Sequence, residues 1–439
     1  MTWWVALSTG IGLLLTLLFL GIPVFVAFLI LNVAGILVLM GPAGFGLFAN
    51  SIYTTATTTA LATVPLFIVM GEILFRSGAM EAVFDSLDRL VGRIRGRQYV
   101  LCILLSTFLG ALSGAAIAVA GLLGRSLLPE MRRRGYNTRL SAGTIMAGAC
   151  LDPIIPPSVL AILIATLAEI STASLLIAGV IPGLLLMCLF LIYVLYRVWR
   201  DPSLAPDVAT DMANAKARSS TTVAILRIFP CAFVFFMVMG LIMFGVATPT
   251  EAAATGVFGA IVVALVYRKF SLSMLVESLT AAATVSALLL VIMCCAVMFS
   301  QLLTFTGATR AIAELVAQLD MPAAVMLFAM MALPFVLFMF LDQLALMLVL
   351  IPIYQPLLKF YAFDPIWFWT LFLIVATVGG LTPPFGYVLF ALKSAAPDLP
   401  TTEIYRASWP FVWLIVLGIV ILAIYPDLVT FLPNLTRPR

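Results

Sequence analysis

Twelve apolar segments follow one another along the chain, and most have the length of one membrane-spanning helix. An α-helix rises about 1.5 Å per residue, so roughly 20 residues cross a hydrocarbon core of about 30 Å. Long apolar runs indicate helices rather than the alternating strands of a barrel. The pattern therefore predicts an all-α polytopic membrane protein. The segments cover residues 3–20, 22–40, 51–75, 98–131, 140–168, 174–196, 223–247, 250–267, 283–305, 322–358, 364–393 and 408–430.

Two segments, 98–131 and 322–358, are too long for one span and contain no polar loop that would make two. Basic residues mark the cytoplasmic side, and they flank the first segment at both ends. We predict that it enters and leaves on the same side, as a re-entrant hairpin with a tight turn at Ser113-Gly114; two very short spans are the alternative. The second carries Asp342-Gln343 at its midpoint and is predicted to be a hairpin entering from the other side. The flanking residues are Arg89, Arg93, Arg95 and Arg97 before the first segment and Arg132, Arg133 and Arg134 after it.

Proline landmarks recur at a nearly constant offset, which indicates an internal repeat. Each copy holds five crossings and one hairpin. Because five is odd, the second copy starts on the opposite side of the membrane, giving the inverted-topology repeat that is typical of secondary transporters. Three landmarks of the first copy recur in the second: Pro23 corresponds to Pro249, Pro129 to Pro356, and Pro156-Pro157 to Pro383-Pro384.

The repeat divides the chain into corresponding regions. In the first copy we predict scaffold helices in 1–75, an amphipathic arm helix along the inner surface in 76–97, hairpin 1 in 98–131, and a broken helix with the following span in 140–200. A polar cytoplasmic loop, 201–222, joins the copies. The second copy is predicted to hold scaffold helices in 223–305, a second arm in 306–321, hairpin 2 in 322–358, and a broken helix with the last span in 364–430.

The distribution of basic residues orients the chain. With the N-terminus outside, all but four of the 23 Lys and Arg residues fall on the inner side, which favours this topology over its mirror image. We therefore predict that both termini are periplasmic. The four exceptions are Arg310, Lys359, Arg437 and Arg439.

Composition excludes several function classes. Hydrophobic residues make up 64% of the chain and charged residues 10%, too little polar surface for a water-soluble globule. His is absent, which rules out a Ser/His/Asp triad and a His-ligated metal. The net charge of +4 is small, and no soluble basic domain exists to bind nucleic acid. The six cysteines lie in apolar stretches without metal-site spacing and are predicted to be buried hydrophobes. We predict that the chain is not an enzyme.

Two spans are interrupted in the middle by a proline pair. The interruptions read LDPIIPPS at 151–158 and GGLTPPFG at 379–386. Proline removes a backbone donor and forces the preceding residue into an extended conformation. Freed carbonyls suit a bare cation, and the N-terminus of the second half-helix suits an anion. A binding site is therefore predicted at the two breaks; a simple proline kink in each helix is the alternative.

Charged and hydroxyl side chains at these breaks are the candidate ligands, since intramembrane charges are costly unless they have a function. Hard cations such as Na+ prefer oxygen ligands. The predicted cation ligands are Ser113, Asp152, Asp342, Gly379 and Thr382. The predicted substrate contacts are Ser113, Gly114, Pro156, Pro157, Ser158, Pro384 and Gly386.

Each candidate also has a structural alternative. Asp152 could instead cap the half-helix that follows it, Asp342 could cap a hairpin turn, and the Thr382 hydroxyl could bond back to its own helix. For Glu72 and Glu251 we predict structural roles, an ion pair with Arg76 and a place in the first turn of a helix.

Taken together, these motifs resemble the large membrane subunit of tripartite ATP-independent periplasmic (TRAP) transporters, the DctM type. The likeness runs from end to end. The matching stretches include GIPVFVAFL (21–29), VPLFIVMGEILFRSG (64–78), LLPEMRRRGY (127–136), IIPPS (154–158), GVATPTEAAATG (245–256), FLDQLALMLVLIPIYQPLL (340–358) and LTPPFG (381–386).

The resemblance implies an elevator-type cotransporter of the ion-transporter superfamily, with scaffold and transport domains, in the bacterial inner membrane. It implies Na+ as the transported coupling ion, no organic cofactor, and a small organic anion as substrate: a carboxylate, keto acid, sugar acid or sulfonate. The implied partners are a separate four-helix membrane subunit of the DctQ type and a periplasmic substrate-binding protein of the DctP type.

One motif departs from the family pattern. The hairpin 1 tip, which in the family usually reads SGSAxAD, reads SGAAIAV at 113–119, so Val119 stands where the family has aspartate. Asp152 stands where the family usually has glycine. We hypothesise that Asp152 replaces the missing carboxylate at the same site. Asp342 and Thr382 match the family.

Two alternative functions stay open from sequence alone. The first is a stand-alone anion or dicarboxylate permease of the same superfamily, driven by Na+ or H+. The second is a purely structural scaffold, which Asp152 and Asp342 argue against because such a protein gains nothing from buried charges.

Overall fold

In the computed structural model of the protein, the described residues are 3–92, 94–113, 116–207, 221–318 and 321–436. They form α-helices joined by short turns. The first half contains α1 (Trp3–Phe19), α2 (Val24–Leu39), α3 (Gly44–Ala56), α4 (Thr63–Arg76), α5 (Ala79–Leu90), α6 (Arg97–Ser113), α7 (Ala116–Arg133), α8 (Thr138–Ala149), α9 (Val159–Leu167), α10 (Thr172–Ala178) and α11 (Val180–Arg200).

The second half follows the same order. It contains α12 (Thr221–Met243), α13 (Pro249–Val266), α14 (Leu272–Phe305), α15 (Ala308–Gln318), α16 (Ala323–Leu337), α17 (Gln343–Phe360), α18 (Pro365–Gly379), α19 (Tyr387–Ala395), α20 (Thr401–Ile424) and α21 (Asp427–Thr436).

The two halves share local capping as well as helix order. Asn137 begins α8 and accepts a hydrogen bond from the amide of Leu140 at 3.0 Å. Asp364, its counterpart in the repeat, begins α18 and accepts one from the amide of Trp367 at 2.8 Å. Asn and Asp are favoured at this position because their side chains satisfy an amide that the first turn leaves free. The predicted all-helical repeat fold is confirmed.

The scaffold helices differ between the halves. The predicted span 51–75 is interrupted between α3 and α4 by a short 3₁₀ turn, Thr59–Ala62. The second half instead has one 34-residue helix, α14, that begins at Leu272, well before the predicted start at 283. The interruption is rich in threonine, and the hydroxyls of Thr54, Thr57 and Thr58 each bond a carbonyl one turn back. Such back-bonds bend helices.

Hairpin 1 consists of α6 and α7, and its two ends lie side by side. The rings of Tyr99, near the start of α6, and Tyr136, just after α7, have centroids 5.0 Å apart. The amide of Gln98 donates to the Tyr136 hydroxyl at 3.3 Å. The chain therefore enters and returns at one end of the bundle, which is the geometry expected of a hairpin.

Hairpin 2 consists of α16 and α17 and closes in the same way. The hydroxyl of Tyr361, which follows α17, donates to the carbonyl of Met321, which precedes α16, at 3.2 Å. In both halves an aromatic residue at the base of the hairpin thus ties entry to exit.

The helices form two groups, and each group contains helices from both halves of the chain packed against one another. In one group, Gly256 of α13 lets Met70 of α4 approach, since a Cβ there would lie 2.5 Å from the Met70 sulfur. In the other, Gly124 of α7 packs against α19, where a Cβ would lie 2.7 Å from Ala395. Glycine at a helix contact permits such close approach. The hairpins and broken helices belong to the second group.

Helix length and composition agree with a multi-pass membrane protein. Within the described ranges, seven helices are long and apolar enough to cross a membrane. Large apolar side chains such as Phe236, Phe244 and Phe258 are exposed on the outside of the bundle, where lipid rather than water would surround them.

The arm helix is shorter than the predicted 76–97. It spans Ala79–Leu90, and glycines with positive φ stand before it at Gly78 and after it at Gly92. Of the predicted inter-repeat loop 201–222, residues 208–220 lie outside the described residues. The second arm, predicted over 306–321, is helical over Ala308–Gln318.

Arg97 begins hairpin 1 rather than ending the arm. Its side chain is 1% exposed and forms an ion pair with Asp88 of the arm, and its guanidinium also donates to the Asp88 carbonyl at 2.7 Å. A buried charge that loses its partner is costly, so this pair ties the arm to the base of hairpin 1.

Replacing Arg97 by Leu is expected to lower the melting temperature of the detergent-solubilised protein by several degrees, because Asp88 loses its partner at a cost of about 3–5 kcal/mol. The matched control is Arg310→Leu, which removes an i,i+4 pair whose arginine is 86% exposed and contributes little. Equal melting temperatures for the two variants would contradict the assignment.

Candidate functional site

The first break, residues 151–158, is buried throughout. Ser158 ends it as the cap of α9: its hydroxyl accepts from the amide of Ala161 at 3.1 Å and donates to the carbonyl of Pro153. The alternative prediction that Asp152 caps this half-helix is therefore wrong. Pro156 and Pro157 are buried inside the turn.

Asp152 is 1% exposed, and neither of its carboxylate oxygens has a hydrogen-bond partner among the described residues. The amide of Ala116, at the start of α7, is close enough to act on the carboxylate electrostatically. A carboxylate at membrane depth is costly unless it is paired, protonated or bound to a cation. Asp152 therefore stays a candidate cation ligand, as the sequence predicts.

Hairpin 1 packs directly on this carboxylate. A Cβ built on Gly110 of α6 would lie 2.7 Å from the Asp152 Cβ, and one turn earlier a Cβ on Gly148 would lie 2.5 Å from the Ser106 side chain. Glycine thus makes room for Asp152 beside the hairpin tip. Of the predicted tip residues, Ser113 is the last residue of α6, and Gly114 lies outside the described residues.

In the second half, the equivalent contact between hairpin and broken helix has glycine on the broken helix and the larger residue on the hairpin. Gly379, the counterpart of Asp152 in the repeat, ends α18, and a Cβ there would lie 2.3 Å from the Cβ of Phe338 at the hairpin 2 tip. The first half places a side chain on the broken helix and glycine on the hairpin; the second half does the reverse. Only the first half therefore leaves space for a carboxylate on the broken helix.

The second break is held by main-chain and hydroxyl bonds. The Gly379 carbonyl accepts a hydrogen bond from the amide of Thr382 at 3.2 Å, and the Thr382 hydroxyl donates one to the Val378 carbonyl at 2.6 Å. The predicted back-bond of Thr382 is confirmed, and its oxygen keeps free lone pairs. The carbonyl of Pro384 accepts a hydrogen bond from the Tyr405 hydroxyl at 2.8 Å. Gly386 caps α19, and a Cβ there would lie 2.5 Å from the Gly380 carbonyl oxygen.

Asp342 lies at the tip of hairpin 2 and caps α17. Its carboxylate accepts from the amide of Ala345 at 3.1 Å, which confirms the predicted capping alternative. Its side chain is exposed, unlike that of Asp152. Beside it, the rings of Phe340 and Phe385 lie 6.3 Å apart and join the tip of hairpin 2 to the second break.

Tyr387, the first residue of α19, belongs to the site although no sequence pattern predicted it. Its ring lies against Gly380, where a Cβ would be 2.2 Å from a ring carbon. Its hydroxyl is buried near Gln343 and has no hydrogen-bond partner in the described part of the chain. The available signal was a hydroxyl-bearing residue three positions after the proline pair.

The candidate oxygen ligands come from both halves. Asp152 lies at the first break, and Asp342, Gln343 and Tyr387 lie at the hairpin 2 tip and the second break. Over the described residues, no group of three or more His, Cys, Asp and Glu side chains lies together. A cation bound here would therefore take most of its ligands from carbonyls, hydroxyls and amides, the set that hard cations accept.

The two glutamates that were predicted to be structural, Glu72 and Glu251, both have structural partners. Glu72 pairs with Arg76 at 3.1 Å. Glu251 completes a capping box with Thr248 at the start of α13.

Residues 11–428 match the family described as the tripartite ATP-independent periplasmic transporter, DctM component. The chain is 29% identical over 401 residues to the C4-dicarboxylate TRAP transporter large permease protein DctM of Pseudomonas aeruginosa, covering 91% of this chain and 92% of that protein. It is 27% identical over 434 residues to the ectoine TRAP transporter large permease protein TeaC of Halomonas elongata, covering 98% and 99%. It is 26% identical over 423 residues to the sialic acid TRAP transporter large permease protein SiaM of Vibrio cholerae, covering 96% and 97%.

Among solved structures, the fold is similar to that of the YdaH transporter of Alcanivorax borkumensis. The TM-score is 0.65 at 16% identity, and the match covers 89% of this chain and 90% of that chain. At this identity the likeness concerns the fold alone.

Replacing Gly110 by Ala is expected to lower the melting temperature of the solubilised protein, because the new methyl group meets Asp152 inside van der Waals distance, at a cost of about 1–3 kcal/mol. Gly12→Ala is the control, since a Cβ there has no neighbour within 4 Å. If the two variants melt alike, Asp152 does not pack against hairpin 1 as described.

Proposed function

Because the chain belongs to the DctM-component family of tripartite ATP-independent periplasmic transporters, we propose that this large permease subunit imports a small organic anion by Na+ symport. A permease subunit of this family is not an enzyme. The observation that carries the proposal is the buried Asp152 carboxylate, which has no hydrogen-bond partner among the described residues.

Asp152 takes the place of the carboxylate that the hairpin 1 tip lacks. Val119, at the family's aspartate position, is buried. Asp152 packs against the same hairpin at Gly110 of α6, and its carboxylate lies near the amide of Ala116 at the start of α7. A cation bound between the break and the tip would satisfy the carboxylate and hold the hairpin against the broken helix.

The proposed solute carries at least one carboxylate. The three relatives are named for a C4-dicarboxylate, ectoine and sialic acid, and a carboxylate is the group that these compounds share. The N-termini of α9 and α19 supply a positive dipole end for such a group. Ser158 and Gly386 begin these half-helices. The remaining proposed substrate contacts are Ser113, Gly114, Pro156, Pro157 and Pro384.

Transport follows an elevator mechanism in this proposal, with the hairpins and broken helices moving together against the scaffold. Cation binding orders the hairpin tips and so lowers the ordering cost of binding the anion. The proposed cation ligands are Ser113, Asp152, Asp342, Gly379 and Thr382. The proposed setting is the bacterial inner membrane with both termini periplasmic, a four-helix membrane subunit beside the scaffold, and a periplasmic protein that delivers the solute.

Asp152→Asn is expected to reduce Na+-dependent uptake about tenfold or more, because losing a charged ligand costs about 1.5–3 kcal/mol and each 1.4 kcal/mol is tenfold in affinity. The solute is first identified by a thermal-shift screen of the periplasmic binding protein against organic acids, and uptake is then measured in proteoliposomes. Glu72→Gln, outside the site, serves as the control. Unchanged Na+ dependence in the Asn variant rejects the role of Asp152.

Reconstitution of the chain with and without its partners tests the rest of the proposal. We expect uptake only when both partners are present and a Na+ gradient is imposed. Uptake by the chain alone would favour the stand-alone permease. Uptake that ignores Na+ but follows a pH gradient would assign H+ as the coupling ion.

A further inference from the structure

A polar cavity of about 400 Å³ lies where the two groups of helices meet. One wall is formed by α14, which packs on α4 in the first group. The opposite wall is formed by the end of α9 and the second half of α17, which belong to the second group. The cavity reaches the base of hairpin 2, roughly 25 Å along α17 from the tip. It is therefore separate from the site at the breaks.

Two opposite charges line this cavity without pairing. Lys359, in the last turn of α17, and Glu169, just after α9, both have exposed side chains. Neither forms an ion pair with the other or with any further residue that the structure describes. Lys359 is also one of the four basic residues predicted to lie on the outer side, so the cavity faces the predicted periplasm. Both charges are available to a ligand there.

The backbone at Glu169 is one that favours a different residue. Its φ is +53°, in the left-handed region. The amides of Glu169 and Ile170 bond back to the carbonyls of Thr166 and Ala165 and so end α9. Glycine or asparagine is usual at such a helix end, because a larger side chain is strained there. Ending the helix therefore does not explain why a glutamate stands at this position.

Amide and hydroxyl groups complete both walls. Gln301 of α14 accepts from the Ser51 hydroxyl at 2.6 Å through its side-chain oxygen, and no described residue accepts from its amide nitrogen. Gln355 of α17 donates to the Leu167 carbonyl at 3.4 Å through its amide nitrogen. Each wall thus adds neutral hydrogen-bonding groups to the two charges.

These groups define the ligand that fits. The Lys359 ammonium is a donor only and suits a carboxylate. The Glu169 carboxylate is an acceptor only and suits a hydroxyl or an ammonium group. A second carboxylate on the ligand would be repelled by Glu169. The cavity volume lies within the range of sites that hold small organic molecules.

We propose that this cavity is an outer binding site for the solute, which selects monocarboxylates that carry hydroxyl or amino groups over dicarboxylates. The inference rests on the proposed import of an organic anion and narrows its class. Solute from the periplasm reaches this site before the breaks, because the cavity lies on the outer side in the predicted topology.

The test is protection of a cysteine in the cavity from thiol labelling. Thr304 lines the cavity and is exposed, and among the native cysteines Cys188 is exposed while the other five are buried. The reporter is therefore Thr304→Cys in a Cys188→Ser background. The purified complex is labelled with a maleimide in choline chloride. The probes are D-gluconate, D-glucarate and sorbitol, which share a hydroxylated carbon chain of equal length and carry one, two and no carboxylates.

D-Gluconate is expected to slow labelling at the lowest concentration. D-Glucarate and sorbitol should each need about threefold more, a modest factor because exposed charge pairs contribute weakly. Lys359→Gln should remove the preference for gluconate over sorbitol, and Glu169→Gln the preference for gluconate over glucarate. Arg310→Gln is the matched control and should keep both preferences, since Arg310 is 86% exposed, is predicted on the same side and does not line the cavity.

Equal protection by the three compounds overturns the proposal, as does a preference that survives the substitution assigned to it. Melting temperatures show whether each variant is folded. A solute that the binding-protein screen identifies as a dicarboxylate without hydroxyl or amino groups overturns the proposed class.

Uptake of the identified solute by the unsubstituted complex separates these failures from failure of the proposed function. If that uptake is driven by Na+, only the outer site is rejected; if it ignores Na+, the proposed function is rejected.

Discussion

Every polar main-chain group at membrane depth must find a partner inside the protein, and this constraint shapes the rest of the molecule. Two helices give up their regular bonding at proline pairs, and each break is covered by a hairpin from its own half. Ser158 and Thr382 satisfy part of the freed backbone with their hydroxyls. The oxygens that remain free at the breaks are the ones available to a cation.

The inverted repeat gives each half a hairpin packed against a broken helix, but the residues at this contact differ between the halves. At one equivalent position the first half has Asp152 and the second has Gly379, and glycine occupies the facing hairpin only in the first half. A carboxylate therefore fits beside hairpin 1, whereas Phe338 fills the corresponding space beside hairpin 2. In the proposed function the carboxylate ligand therefore lies on the broken helix rather than on the hairpin, and Gly110 of the hairpin packs directly against it.

Most of the architecture could be predicted from local signals. The proline pairs at 156–157 and 383–384, the basic residues around 98–131 and the constant offset all act through rules that need no tertiary information. The capping role of Asp342 and the back-bond of Thr382 were also foreseeable alternatives, since each depends on residues within one helical turn. The placement of Tyr387 near Gln343 could not be foreseen in this way, because the two residues are distant in the chain.

Sequence alone determined the membrane class, the repeat, the hairpins and the two breaks, because hydrophobic length, proline chemistry and charge asymmetry act along the chain. Only the tertiary structure decided that Asp152 lies unpartnered among the described residues while Ser158 caps α9, and that Gly110 and Gly380 make room for Asp152 and Tyr387. Those outcomes depend on which side chains meet across helices, and close packing sets this with sub-ångström tolerance that no linear pattern encodes.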